Sequence, residues 1–254
     1  MTKQLENKVA IITGGSGSIG LATAKLFLEE GAQVMLVDLN EEKLKAAVNE
    51  LGSDHIKYCV SDVSIAKDVE HYVHETITQF GKIDVFFNNA GIEGVVKPID
   101  EYPDDVFDKV IAVNVKGSWL GNKHVLPKMT EGGSIIMTSS VAGLLGFAGL
   151  GAYVTSKHAI VGIMKTSAIE AAGKKIRVNS VHPAPVNNRM MSSIEAGASA
   201  DHSDEVKKQF EASIPLGRYA KPTEIAQLVL FLAGDYSQFI TGATMVIDGG
   251  LCAQ

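Results

Sequence analysis

Short apolar runs alternate with amphipathic stretches along almost the whole chain. The apolar runs are rich in β-branched residues, which is typical of strands buried on both faces. We therefore predict strands at 8–13, 33–38, 56–60, 83–88, 133–139, 175–181 and 243–248. The stretches between them repeat apolar residues at helical spacing and predict helices at 19–30, 41–51, 65–80, 104–130, 152–172 and 223–234.

This alternation predicts one α/β domain over residues 1–254, a doubly wound Rossmann sheet of seven parallel strands with helices on both faces. Ligands of such sheets bind where the strands end. The segment 187–215 is the irregular exception, because it is polar and carries a few apolar residues, Met190 and Met191 among them. We predict that it is a lid over a substrate, although a merely exposed insertion has the same composition.

Composition narrows the range of partners. A net charge of −6 and a pI near 5.7 argue against nucleic acid, since the chain has no basic block to neutralise phosphates. The sequence has no signal-peptide pattern and no apolar run of about 18 residues, so we predict a cytoplasmic protein without a membrane partner. His71 and His74 are three residues apart but have no evident third ligand, so we predict no metal site.

A glycine-rich turn, Gly14 to Gly20, separates the first predicted strand from the first predicted helix. Glycines permit a sharp turn and close approach to a pyrophosphate, and the helix N-terminus adds free N–H groups and a positive dipole end. An ordinary strand-to-helix turn can have the same composition. The turn alone therefore leaves both interpretations open.

The second strand ends at Asp38, about twenty residues beyond the turn, where a carboxylate can accept hydrogen bonds from ribose hydroxyls. A carboxylate there repels a 2′-phosphate, and no Arg or Lys lies in the turn or directly after Asp38. We therefore predict NAD(H) rather than NADP(H) as the cofactor. Asp38 could also cap the helix that starts at Glu41, and the two roles are compatible.

Tyr153 and Lys157 are four residues apart in a predicted helix, so they share one face of it. An ammonium group near a phenol lowers a phenol pKa that is normally about 10. A phenol tuned toward neutrality can donate or accept a proton. Ser140 ends an apolar strand upstream. Many surface helices carry such a Tyr and Lys, so the pair gains weight only together with the glycine turn.

With these elements in order, the chain resembles the short-chain dehydrogenase/reductase family, in its NAD-dependent branch of about this length, from Lys8 to Gly250. Thr13 to Gly20 is similar to the family's TGxxxGIG turn, and Asn88 to Gly91 to its NNAG signature. Asp62 and Val63 match the acidic pair at the adenine ring. The remaining matches are the four catalytic positions, Asn114, Ser140, Tyr153 and Lys157.

The resemblance implies roles for these residues. Tyr153 is the acid/base, Lys157 lowers its pKa and holds the nicotinamide ribose, Ser140 binds the substrate oxygen, and Asn114 anchors a relay water. We expect cofactor contacts from Gly14, Ser16, Ser18, Ile19, Gly20, Asp38, Leu39, Asp62, Val63, Asn89, Ala90, Gly91, Tyr153, Lys157, Pro183, Val186 and Asn188. We expect substrate contacts from Ser140, Ala142, Leu150, Tyr153, Ala184, Met190 and Met191.

The chain departs from the family after the sixth strand. The family usually has Pro-Gly there, followed by a threonine that contacts the nicotinamide carboxamide. Ala184 replaces the glycine and Asn188 takes the threonine position. Asparagine can still donate and accept, so we expect cofactor binding to survive.

These observations favour an NAD(H)-dependent oxidoreductase that interconverts a secondary alcohol and a ketone. The apolar stretch Gly143 to Leu150 predicts one wall of the substrate pocket, hence a substrate with an apolar part. Two alternatives stay open, a reductase of carrier-bound 3-ketoacyl groups and a non-catalytic NAD-binding sensor or scaffold. The resemblance also implies a homotetramer, which the long apolar helices at 104–130 and 152–172 support.

Overall fold

The fold is a seven-stranded sheet with helices on both faces, seen in a computed structural model that describes residues 3–253. All strands are parallel, in the order β3-β2-β1-β4-β5-β6-β7. They are β1 Val9–Thr13, β2 Gln33–Asp38, β3 Ile56–Val60, β4 Val85–Asn88, β5 Ser134–Thr138, β6 Arg177–Pro183 and β7 Thr244–Ile247. The predicted fold class is confirmed.

Nine α-helices connect or flank these strands within the described residues: α1 Ser18–Glu29, α2 Glu41–Leu51, α3 Ala66–Phe80, α4 Asp104–Val110, α5 Gly117–Val125, α6 Gly151–Ala171, α7 Arg189–Ala198, α8 Ser203–Ser213 and α9 Pro222–Ala233. The helix expected at 104–130 is not one regular helix. A π-helical turn, Ile111–Lys116, separates α4 from α5, and a short 3₁₀ turn, Leu126–Lys128, follows α5.

The core has two layers because successive strand residues point to opposite faces. Ile12 belongs to the layer that packs against α1 and α9, around Phe27 and Val229. Its neighbour Ile11 belongs to the layer that packs against α3, α5 and α6, around Tyr72. Both faces of the central strands are therefore covered, which explains why these strands are continuous apolar runs.

A buried carboxylate fastens the centre of the sheet at the end opposite the strand termini that carry the candidate site. Asp84 accepts a hydrogen bond from the N–H of Val9 at 2.8 Å and another from the Thr130 hydroxyl at 2.8 Å. Lys82 lies 3.0 Å from the same carboxylate. These contacts join the starts of β1 and β4 to the segment before β5.

The segment 187–215 is mostly helical, so its prediction as irregular was wrong. It forms α7, a short 3₁₀ turn at Ala200–His202, and α8. Asn188 caps α7 by accepting a hydrogen bond from the N–H of Met191 at 3.1 Å. The sequence of α8 is too polar to show a strong apolar stripe, and Phe210 is the α8 residue that packs against the apolar clusters of the described residues.

Candidate active site

The glycine turn between β1 and α1 is tight enough to exclude side chains. A Cβ on Gly20 would collide with the carbonyl of Gly14, and Gly14 itself has φ +64°, in the left-handed region. No side chain caps α1, and its first turn contains no acidic residue. The first N–H groups of α1 are therefore directed at the turn with a favourable dipole for an anion.

Asp38 lies at the next strand end and is held in place by the glycine turn. Its Oδ2 accepts hydrogen bonds from the N–H of Ser16 at 3.1 Å and from the Ser16 hydroxyl at 2.6 Å. Its Oδ1 accepts one from the N–H of Leu39 at 2.7 Å. A carboxylate has about four acceptor sites, so Asp38 retains capacity for a hydroxyl-bearing ligand. Asn40, rather than Asp38, caps α2 by accepting from the N–H of Lys43.

The ends of β3 and β4 form the middle of the same edge. Asp62 accepts two hydrogen bonds from Ser64, which orient its carboxylate. The main-chain N–H groups of Asn89 and Ala90 both donate to the Thr13 hydroxyl, and the Asn89 amide donates to the Thr13 carbonyl. These bonds hold the ends of β1 and β4 together.

The catalytic candidates occupy the other end of this edge. Lys157 Nζ donates to the carbonyl of Thr138 at 2.9 Å and lies 5.4 Å from the centre of the Tyr153 ring. The Tyr153 hydroxyl is 3.9 Å from the sulfur of Met190. Ser140 Oγ accepts from the N–H of Ala142 at 3.1 Å. Ser140, Tyr153 and Lys157 line the same cavity, and the side chain of Ser140 hydrogen-bonds to that of Tyr153.

Burial sets the protonation of the pair and corrects one prediction. It raises the pKa of Tyr153 to about 12, which the hydrogen bond with Ser140 partly offsets and the negative charge of Glu93 reinforces. Burial also lowers the pKa of Lys157 to about 8. The expectation of a phenol pKa lowered toward neutrality is not met in this structure, because desolvation raises the pKa of Tyr153 instead.

Asn114 lies inside the π-helical turn, fully buried. Its Oδ1 accepts from the N–H of Ile92 at 2.8 Å, and its Nδ2 donates to the Ile92 carbonyl and the Ser156 hydroxyl, each at 2.9 Å. A Cβ on Gly91 would lie 3.3 Å from Asn114 Oδ1 and 3.5 Å from Lys157 Nζ. Gly91 thus keeps open the gap between the π turn and Lys157.

His182, near the end of β6, supports Ser140 from behind. Its Nδ1 is 2.9 Å from the carbonyl of Ser140 and its Nε2 is 2.8 Å from the Ser180 hydroxyl. Since a carbonyl only accepts, the proton is on Nδ1 and Nε2 accepts from Ser180. Burial lowers the pKa of His182, so the ring is neutral. It holds the backbone at Ser140.

Helix α7 covers the catalytic end and is joined to the loop after β4. Arg189 donates to both carboxylate oxygens of Glu93, at 2.8 and 3.2 Å. Glu93 is buried, and the hydrogen bonds from Arg189 lower its pKa against the effect of burial. Farther along α7, Glu195 accepts a hydrogen bond from the Tyr219 hydroxyl at 2.8 Å. Two buried carboxylates therefore hold α7 in place, and the sequence alone indicated neither.

One cavity of about 650 Å³, called the cleft below, contains nearly all of these groups. It is lined by every predicted cofactor and substrate residue except Gly20, which supports the turn from within α1, and by every catalytic candidate except Asn114. Sequence reasoning did not assign a site role to some of the further lining residues, among them Lys43, Lys109 and Leu251. Leu251 comes from the far end of the chain, where no local motif marks it.

Within residues 3–253, no group of three or more His, Cys, Asp or Glu side chains is arranged to hold a metal ion. Among the helices of the same residues, none has the length and apolarity that crossing a membrane requires.

Comparisons with known proteins give matches that cover nearly the whole chain. A family model described as enoyl-(acyl carrier protein) reductase matches residues 14–252. Levodione reductase of Leifsonia aquatica is 37% identical over 258 residues, covering 99% of this chain and 97% of its own. The 3-oxoacyl-[acyl-carrier-protein] reductase of Thermotoga maritima is 37% identical over 252 residues, covering 98% of this chain and 99% of its own.

Solved structures show the same fold. A crystal structure of levodione reductase superposes with a TM-score of 0.94 at 37% identity, covering 98% of this chain and 99% of that one. The structure of NAD⁺-bound xylitol dehydrogenase gives a TM-score of 0.91 at 37% identity, covering 98% and 100%. With a family model, full-length relatives and solved structures in agreement, the chain belongs to the short-chain dehydrogenase/reductase family.

Proposed function

We propose that this protein is an NAD(H)-dependent oxidoreductase that interconverts a secondary alcohol and a ketone. The observation that carries the proposal is the cleft itself. One end has the glycine turn and Asp38, and the other end has Ser140, Tyr153 and Lys157. When bound, a nicotinamide cofactor supplies or accepts the hydride, and the side chains of the chain handle the proton.

The residues fit such a cofactor. The uncapped start of α1 and the excluded Cβ positions at Gly14 and Gly20 suit a pyrophosphate. Asp38 keeps acceptor capacity for ribose hydroxyls and repels a 2′-phosphate. Lys43 also lines this end of the cleft, which the sequence argument left out. The choice of NAD(H) rests on Asp38 lying at the strand end, directly against the turn.

The proton chemistry follows from the protonation states. Tyr153, whose pKa is about 12, keeps its proton at neutral pH and can donate it to a carbonyl oxygen during reduction. Ser140 can donate a hydrogen bond to the same oxygen and stabilise the charge that develops there. In the direction of oxidation, Tyr153 takes the proton from the alcohol as a phenolate, which an ammonium group at Lys157 stabilises. We include Asn114 and the gap beside Gly91 in this proposal as the place for a relay water.

The substrate is proposed to be a small ketone or secondary alcohol with an apolar part. The substrate end of the cleft is lined by Ala142, Phe147, Leu150, Ala184, Met190, Met191 and Phe210. We further propose that α7 and α8 form the predicted lid, now as two helices within 187–215. Oligomerisation to a homotetramer and a cytoplasmic location also remain proposals.

The decisive experiment is a screen of secondary alcohols and cyclic ketones, following NADH absorbance. Turnover of several ketones with NADH supports the proposal. If NADH binds and no compound is turned over, the non-catalytic sensor or scaffold becomes the better hypothesis.

A second candidate, reduction of carrier-bound 3-ketoacyl groups, is favoured by the similarity to the Thermotoga maritima reductase. Adding acetoacetyl thioesters to the same screen separates the two activities. A preference for the thioester over free ketones of the same length would favour the second candidate.

A further inference from the structure

A second, smaller cavity of about 260 Å³ lies beside the cleft, between the loop 93–97 and helix α7. Leu150 and Ile194 line both cavities, and they are only 8% and 6% exposed. The two spaces are therefore separated by a wall that includes these two side chains. Neither the proposed reaction nor the cofactor site uses the smaller cavity.

The wall stands next to the reacting groups. Leu150 directly precedes α6, three residues before Tyr153, and packs in one apolar cluster with Tyr153, Ala142 and Ile194. A carbonyl group at Tyr153 therefore has one substituent close to the wall. Ala184 and Leu251, which line the substrate end as well, belong to a second cluster that does not include Leu150 or Ile194.

The frame of the smaller cavity is fixed by backbone contacts. The N–H of Lys97 donates to the carbonyl of Gly149 at 2.9 Å, and Lys97 pairs with Leu150 as in a parallel sheet. A Cβ on Gly197 would come within 3.0 Å of Val96, so α7 packs directly on this loop. Because the frame is anchored on both sides, shortening a wall side chain should join the two spaces rather than let them collapse.

The chemistry of the smaller cavity suits a chain with a neutral polar end. Besides the two wall residues, its lining includes Gly94, Val95, Val96, Lys97 and Gly197, and Lys97 pairs with Glu101. Glu93 and Ser193 are the polar groups beside them, and the Ser193 side chain hydrogen-bonds to the Glu93 carboxylate. Because Arg189 already pairs with the Glu93 carboxylate, the cavity does not require a cationic ligand.

We propose that Leu150 and Ile194 determine the length of substrate that the enzyme accepts, and that the cavity behind them is a latent subsite for the far end of a longer ketone. The ligand class is a methyl ketone with an unbranched apolar chain, with or without a terminal hydroxyl. The inference rests on the proposed ketone reductase activity and names the specificity of that site.

The test measures kcat/KM with NADH for methyl ketones of increasing chain length and for their terminal hydroxy analogues. Leu150→Ala should raise the ratio of long to short ketones about tenfold, or about 1.4 kcal/mol, which corresponds to the burial of about two further methylenes. Ile194→Ala should shift the ratio in the same direction. Equal changes for all chain lengths in both variants would contradict the proposal.

Filling the smaller cavity provides the matched control. Val96 lines only the smaller cavity, so Val96→Phe should leave short ketones unaffected in the wild-type background and abolish the gain in the Leu150→Ala background. Leu251 lines only the cleft, so Leu251→Ala enlarges the cleft without opening the smaller cavity. In the Leu251→Ala background, Val96→Phe should not alter the turnover of long ketones. Val96→Met serves if the phenylalanine variant unfolds. If a folded double variant with Phe or Met at position 96 keeps the gain of Leu150→Ala for long ketones, the subsite proposal is wrong.

A measurement without turnover keeps the two proposals distinguishable. A long methyl ketone should raise the Tm of Leu150→Ala more than that of the wild type, because a ligand that binds only the folded state stabilises it. If no ketone is turned over, the proposed function fails, and the Tm comparison still decides the subsite. Equal Tm shifts in both proteins would reject it.

Discussion

At the scale of single residues, Tyr153 and Lys157 stand out because both side chains are buried, and burial disfavours the charged form of each. Lys157 is 3% exposed, and its Nζ donates a hydrogen bond to the Thr138 carbonyl. A buried ammonium group without a carboxylate partner destabilises the folded state. The same burial excludes water from the place where a proton would be transferred, which strengthens every interaction there.

Replacing Tyr153 by Phe should reduce turnover by about 10²-fold or more, since a positioned proton donor contributes about 10²–10⁴. The variant loses one hydroxyl and should bind NADH normally. Tyr72→Phe is a matched control, because the Tyr72 hydroxyl is also buried but has no hydrogen-bond partner in the described structure. That control should keep full turnover. Near-normal turnover of Tyr153→Phe would refute the assigned acid.

Lys157→Met should stabilise the protein while reducing activity. Burial lowers the pKa of Lys157 from 10.5 to about 8, and at about 1.4 kcal/mol per pKa unit the buried charge costs on the order of 3 kcal/mol. Losing the hydrogen bond to Thr138 offsets about 1 kcal/mol of this. Urea unfolding at neutral pH should therefore show a gain of roughly 2 kcal/mol.

The gain should depend on pH in a defined direction. Below pH 8 Lys157 is charged in both states and the full cost applies. Between pH 8 and 10.5 the unfolded state binds more protons than the folded state, so wild-type stability rises with pH through this window. The advantage of Lys157→Met should shrink over the same window. An advantage that grew with pH would show that the buried charge is not its cause.

Asp38 should determine the choice of cofactor. Replacing Asp38 by Asn and Leu39 by Arg turns a carboxylate that repels a 2′-phosphate into a cation that pairs with it, so NADH binding should weaken and NADPH binding appear. Fluorescence titration of both cofactors measures the change. Lys43, whose side chain is the other charged group at the Asp38 end of the cleft, provides the control. The Lys43→Ala variant should keep the preference for NADH. A wild-type preference for NADPH would contradict the prediction.

At the scale of elements, the strands follow the sequence closely, whereas the helices around the substrate do not. A strand buried on both faces needs an apolar run, and Val9–Thr13 or Ser134–Thr138 can be recognised from that run alone. The π turn depends on one surplus residue in a helix and on the contacts of Asn114 with Ile92. The polar helix α8 forms because α7 and the end of the chain pack against it.

The residues of the candidate site also differ in whether the sequence alone can predict them. Motifs with short spacing, such as Gly14 to Gly20 or Tyr153 and Lys157, can be read locally, because one turn or one helix positions all their members. Glu93 and Arg189 are 96 residues apart, and their pairing depends on the whole fold. Leu251 enters the cleft by the same kind of long-range packing. The burial that sets the pKa of Tyr153 is likewise invisible in the sequence.

The Glu93–Arg189 pair should act as the anchor of α7. Arg189→Met leaves a buried carboxylate without its partner, whereas Glu93→Gln leaves only an arginine whose side chain is 68% exposed. Arg189→Met should therefore lower the free energy of unfolding by about 2–3 kcal/mol, and Glu93→Gln by about 1 kcal/mol. The double variant should recover part of the loss caused by Arg189→Met.

Hydrogen exchange gives the readout for α7 itself. Exchange should accelerate in residues 189–198 of both single variants and remain unchanged in α1, which is far from the pair. The Michaelis constant for ketones should rise with little change in turnover number. Strictly additive effects in the double variant would mean that the two side chains do not depend on each other.

At the scale of the whole molecule, exposed apolar side chains are candidates for the contacts of the proposed homotetramer. Trp119 on α5 and Ile169 on α6 are 55% and 79% exposed, and Phe239 near the last strand is fully exposed. We expect a homotetramer in sedimentation at micromolar protein. Ile169→Glu should dissociate it, whereas Lys25→Glu on α1, a charge reversal on another surface, should not. A wild-type species of only 27.0 kDa would rule the tetramer out.

The strand order has a consequence for how the chain is made. β1 lies between β2 and β4, so its second edge stays open until residue 88 has been synthesised. At about 5–20 residues per second, roughly 4–15 s pass on the ribosome between the ends of β1 and β4. During that time an apolar strand with a free edge can pair with a neighbouring nascent chain. Faster translation of this interval, or a chaperone that covers β1, should therefore increase the yield of folded protein more than any change in the later half of the gene.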